Sequence, residues 1–95
     1  MSTQPVPTFP EGYEILDGKS VEEIIAYILN NEEAMKSYNA EWQLPFAKSE
    51  IAMKDEYRVA KPSDNPIVNE IWNLALNQTD IEYASKLFYI CGVLL

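Results

Sequence analysis

The sequence predicts an all-α protein: a compact bundle of four to five short helices with an extended, proline-containing N-terminal arm. Three observations point there. Ser20-Val21-Glu22-Glu23 and Thr79-Asp80-Ile81-Glu82 each read as a capping box, in which a hydroxyl accepts an early helix N–H and a glutamate reaches back. Asn65-Pro66 reads as an N-cap followed by proline at the first helical position, where the missing donor is no loss. Apolar residues also recur at helical spacing in four segments. With 95 residues, 47% of them hydrophobic and 23% charged, one domain is expected over 20–95, preceded by an arm and turn over 1–19.

Each element has a local reason. Pro5, Pro7 and Pro10 fix φ and remove donors, so residues 1–12 should be extended, with Gly12 ending the arm. Tyr13-Glu14-Ile15-Leu16 is β-compatible, but one short strand forms no sheet, so packed coil is expected there. Asp17-Gly18 is a turn signal. Val21, Ile24, Ile25 and Ile28 share one face of the first helix, and Met35 and Trp42 continue the stripe. One helix to about residue 42 is one reading. A break at Asn30-Asn31, with Asn31 capping a second short helix, is preferred. Pro45 punctuates, because the residue before proline is pushed out of the α region. Phe46, Met53, Tyr57 and Ala60 then share a face, so a helix is expected to about Ala60, followed by a loop over Lys61-Pro62-Ser63-Asp64. After Asn65-Pro66, residues Ile67, Ile71, Leu74 and Ala75 line one face, with Val68 and Trp72 beside it. In the last helix Ile81, Ala84, Leu87, Phe88, Cys91 and Leu95 form a stripe, while Tyr83, Ile90 and Leu94 spread around the other side. A helix apolar over most of its circumference belongs at the centre of a core or in a subunit interface.

Composition excludes more than it identifies. There is no histidine, so neither a Ser-His nor a Cys-His pair can be built. Metal ligands would have to be carboxylates alone, and no EF-hand spacing occurs. Three glycines, Gly12, Gly18 and Gly92, make no phosphate-cradling loop. The acidic pairs Glu22-Glu23, Glu32-Glu33 and Asp55-Glu56 are adjacent residues, which diverge by about 100° on a helix and share no site. The expectation is a protein that is not an enzyme, with no catalytic residues, cofactor or metal. Cys91, the single cysteine, cannot form an internal disulfide and is expected as a buried, inert thiol. The first residues lack a basic stretch and an apolar stretch of the signal-peptide kind, so a cytoplasmic location is expected. The most apolar segment, at the C-terminus, is short of the ~20 residues a bilayer needs.

The charge is both large and uneven. The net charge is −8, which opposes direct contact with nucleic acid or anionic membrane and favours a basic partner surface. Residues 1–45 carry Glu11, Glu14, Asp17, Glu22, Glu23, Glu32, Glu33 and Glu41 against Lys19 and Lys36, a net of −6; residues 46–95 carry a net of −2. If recognition is electrostatic, the first half is the contact surface. A solvated helix face is the plain alternative. Tyrosine is a frequent interface anchor, and Tyr13, Tyr27 and Tyr38 lie amid these acids. The candidate partner-binding residues are therefore Glu22, Glu23, Glu32, Glu33, Tyr27, Tyr38 and Glu41. Trp42 and Trp72 are expected in the core. Lys54, Arg58 and Lys61 make a smaller basic stripe on one helix edge, suited to ordinary surface pairing or to an acidic patch on a second subunit.

In size and charge the chain resembles small acidic inhibitors such as bacteriocin immunity proteins and phage-encoded DNA mimics. The likeness is one of composition and rests on no motif. It implies a protein-binding module that occupies a basic, nucleic-acid-binding-type surface of another protein. The alternative is a small structural or adaptor subunit that forms a homodimer or larger assembly through its apolar C-terminal helix, with the acidity serving solubility alone.

Overall fold

A computed structural model describes residues 9–53 and 65–95, and within them the protein is an all-α bundle. A 3-10 turn, Glu14–Leu16, leads into α1 (Val21–Leu29), α2 (Glu32–Met35), α3 (Ala40–Ala52), α4 (Pro66–Leu76) and α5 (Ile81–Leu94). The expected arm over residues 1–8 lies outside the described residues. At Phe9 and Pro10 the chain has no regular structure, and Phe9 packs on the core. The segment expected as packed coil is instead the 3-10 turn, with Leu16 buried. Gly12 and Gly18 bracket it with φ of 95° and 82°, left-handed values that a side chain would strain.

The local caps explain where the first helices begin. Ser20 Oγ accepts the Glu23 N–H at 3.2 Å, and Glu23 Oε1 accepts the Ser20 N–H at 3.1 Å, so the first capping box is complete. Val21, Ile24, Ile25 and Ile28 are all buried, as their spacing requires. The chain breaks at Asn30, and Asn31 Oδ1 caps α2 by accepting from Glu33 and Ala34. Met35 is half-buried against the core.

α3 departs from expectation. Asn39 caps it, and the helix runs through Pro45 instead of starting after it. Pro45 is exposed and removes one donor, whereas Gln43 and Ala47 on either side are buried; tertiary burial outweighs the local proline preference. The buried face is also different: Gln43 and Ala47 face inward, Phe46 sits at the edge, and Trp42 is 56% exposed rather than in the core. The helix closes at Ala52 with Met53 as C-cap. The expected continuation through Tyr57 to Ala60, the loop after it, and the stripe Lys54, Arg58 and Lys61 lie outside the described residues.

α4 begins where Asn65-Pro66 says it should, with Asn65 Oδ1 accepting the Ile67 N–H at 2.9 Å. Its buried residues are Val68, Ile71 and Ala75, so the face is turned from the expected one, and Leu74 is exposed. The cause lies in α5. Trp72 meets Phe88 edge-on with centroids 4.7 Å apart, and Cys91 Sγ donates to the Val68 carbonyl, so α4 turns its Val68 and Trp72 side inward. Trp72 is half-buried there.

α5 is capped by Asp80, not Thr79. Its Oδ1 accepts from Glu82 at 3.0 Å and Tyr83 at 3.4 Å, so the second expected capping box does not form. Ala84, Ser85, Leu87, Phe88, Ile90, Cys91 and Leu94 are buried, around most of the helix. Leu95 ends the chain exposed, outside the stripe expected to hold it. α5 packs chiefly on α4 and α3, with α1 against its remaining side. The enclosure is within one molecule, so burial of Leu87, Phe88 and Cys91 needs no second subunit. Burial pushes the Cys91 thiol up to about 12.

Leu87 is fully buried, so Leu87→Ala should lower the unfolding free energy by about 2–5 kcal/mol, read from urea denaturation. A loss below ~0.5 kcal/mol would mean that α5 is not the packed centre of the bundle.

Candidate functional site

α1 shows two faces. Its apolar stripe faces the core. A second stripe at the same spacing, Glu23, Ala26, Tyr27 and Asn30, faces outward. The 3-10 turn stands along one side of this outer stripe and the start of α2 lies at its far end. Together they enclose an open groove of about 850 Å³, lined by Ile15, Leu16, Lys19, Glu23, Ala26, Tyr27, Asn30, Asn31, Glu32 and Glu33. Ile15, 63% exposed, projects from the turn, and Tyr27 is 39% exposed. The floor is therefore apolar and the rim acidic.

Of the candidate residues, Glu23, Tyr27, Glu32 and Glu33 come together in this groove. Glu22 points elsewhere, into a smaller groove of about 320 Å³ that it shares with Ile25, Leu29, Leu74 and Tyr83. Glu41 is exposed in the first turn of α3 and lines neither groove. Tyr38 is part of the scaffold. Its hydroxyl lies 2.6 Å from Ser85 Oγ, and Ser85 in turn donates to the Glu82 carbonyl at 2.7 Å, which leaves Tyr38 as the donor. Its ring also meets Tyr89 edge-on at 5.6 Å. The Tyr89 hydroxyl donates to the Ala34 carbonyl, so these tyrosines tie α2 and the following loop to α5.

The carboxylates differ in their commitments. Glu23 holds the α1 cap; the Ser20 backbone N–H, then the Ser20 hydroxyl, then nearby Lys19 keep its carboxyl below the usual range. Glu33 pairs with Lys36 at 3.5 Å, but both ends are largely exposed, so the pair is a weak tether. Glu32 makes no ion pair among the described residues. The groove's non-acidic lining is what the sequence reading missed. Ala26 and Asn30 fall in register with Glu23 and Tyr27, a signal that was present. The placement of Ile15 depends on the turn between Gly12 and Gly18 and left no such trace.

A second apolar groove of about 450 Å³ runs between α3 and α5, lined by Trp42, Gln43, Phe46, Phe88, Tyr89, Gly92 and Val93. Trp42, Phe46, Phe88 and Trp72 form a chain of edge-on ring contacts beneath it. Among the described residues, no group of three or more histidine, cysteine, aspartate or glutamate side chains is placed to hold a metal ion. No described helix is long and apolar enough to cross a membrane. Comparison of the chain with protein-family models, curated proteins and solved structures finds no match.

Two outcomes are expected. The Glu23 carboxyl ionises more readily folded than unfolded, so its contribution is full above the unfolded value and fades as pH falls through the folded one. Glu23→Gln should therefore flatten part of the acid limb of stability, read as the thermal midpoint against pH between about 6 and 3. Tyr38→Phe removes the donor to buried Ser85 and should cost about 0.5–1.5 kcal/mol in denaturant unfolding.

Proposed function

We propose that the protein is a non-enzymatic, acidic interaction module whose first half covers a basic surface of another protein, as inhibitors of the DNA-mimic or immunity-protein kind do. The observation that carries the reading is the convergence of Glu23, Glu32 and Glu33 with Tyr27 on one open groove. An acidic rim steers a basic partner over long range, and exposed aromatic and aliphatic groups hold it at short range. This reading assigns direct contact neither to nucleic acid nor to a membrane surface, because both are anionic. It sets the protein in a cytoplasm, where one unpaired cysteine needs no oxidising surroundings.

A second reading has its own observation. Trp42 is 56% exposed beside Phe46, so the α3–α5 groove offers an apolar edge through which a small adaptor subunit would assemble. In this reading the contact is that edge rather than the C-terminal helix as a whole, most of which the bundle already encloses.

Reversing Glu22, Glu23, Glu32 and Glu33 to lysine should abolish binding to the partner recovered from the native host and leave the bundle folded, apart from the altered α1 cap at Glu23, since all four are exposed. Wild-type affinity should fall steeply between low and high salt, because the Debye length shrinks to ~10 Å at 0.1 M. Salt-independent binding that survives the reversal would reject the acidic-module reading. Loss of assembly in Trp42→Ser, seen by sedimentation, would favour the adaptor.

A further inference from the structure

We propose, building on the acidic-module reading, that the groove between the 3-10 turn, α1 and α2 is a docking site for a basic polypeptide segment. The segment inserts an apolar side chain between Ile15 and Tyr27 and sets flanking arginine or lysine residues against Glu32 and Glu33. Three features select this occupant. The first is space with an apolar floor. The groove's volume of about 850 Å³ lies within the ~300–1,000 Å³ of small-ligand clefts, and Ala26 leaves its middle open. Ile15 at 63% exposure is an aliphatic side chain held in water on a turn bracketed by two left-handed glycines. Covering it is favourable by the ordinary burial of apolar area.

The second feature is charge. The rim holds Glu23, Glu32 and Glu33 against Lys19 alone. Glu32 has no ion pair among the described residues, and Glu33 has only its exposed contact with Lys36. A cationic side chain laid here meets carboxylates without breaking a buried pair. A phosphate-bearing ligand would be repelled, and a purely apolar one would leave the rim unused. The third feature is hydrogen bonding suited to a peptide group. Asn30 Nδ2 is engaged with the Ala26 carbonyl, and Asn31 Oδ1 with the Glu33 and Ala34 N–H groups. Among the described residues Asn30 Oδ1 and Asn31 Nδ2 make no other hydrogen bond, so these two groove-lining side chains keep an acceptor and a donor for a passing backbone.

The test uses a labelled synthetic peptide, Arg-Arg-Leu-Arg-Arg capped at both ends, with Arg-Arg-Ser-Arg-Arg and spermine as controls. Binding to the full chain is followed by amide chemical shifts and by titration of the label. The leucine peptide should bind about tenfold more tightly than the serine peptide, with shifts centred on Ile15, Ala26 and Tyr27. Ala26→Phe, which fills the groove from an exposed position, should weaken the leucine peptide about tenfold, and Glu32→Gln with Glu33→Gln should weaken both peptides. Far-UV circular dichroism checks that each variant keeps its helices. Equal affinity for the leucine and serine peptides, indifference to Ala26→Phe, or shifts centred on Trp42 and Phe46 would overturn the groove proposal. If the glutamine variants still weakened binding, the acidic-module reading would stand without the groove. No binding by any of the three probes up to about 1 mM would reject both.

Discussion

The bundle depends on enclosing α5. A helix with apolar residues around most of its circumference cannot rest on one neighbour, because any uncovered side would leave aliphatic and aromatic area in water. α4, α3 and α1 each cover part of it, and the short elements tie off what remains. Few polar residues are taken inside: Gln43, Asn65 and Ser85. Ser85 is satisfied by Glu82 and Tyr38, and no buried side-chain nitrogen or oxygen among the described residues lacks a partner.

That arrangement decides what is left for the surface. α1 gives its isoleucine stripe to the core and has a second face to spare, which is why the acidic groove forms beside it. α3 is committed to the core by two buried positions, Gln43 and Ala47, so its aromatics gather at the edge. The acidic and the aromatic grooves therefore belong to different helices and face different parts of the molecule.

Much of this was legible in the sequence, for reasons that vary by element. The caps at Ser20, Asn31 and Asn65 are local contracts between a side chain and the N–H groups two or three residues on, so they survive whatever the tertiary fold does. Thr79 against Asp80 was a choice between two adjacent capable residues, which the local pattern alone does not decide. Pro45 and the facing of α4 were misjudged because tertiary contacts override local preference: burial carries α3 through its proline, and the contact with Phe88 turns the Trp72 side of α4 inward. Trp42 looked like core because composition does not distinguish an aromatic in a core from one at its margin. Of the candidate site, the acids and Tyr27 on α1 and α2 follow from helical register. Tyr38 was grouped with these acids by its position in the chain, and its contact with Ser85, 47 residues away, left no trace in the local pattern.

The unlike placement of the two tryptophans makes the protein its own optical instrument. Trp42 is more than half exposed at the lip of the aromatic groove, and Trp72 is half-buried, edge-on against Phe88. Their emission should therefore differ, redder from Trp42 beside the groove and bluer from Trp72 against the core. Removing either indole by a phenylalanine substitution leaves a single-site fluorophore, so events at the surface and loosening of the interior are followed independently without any added label.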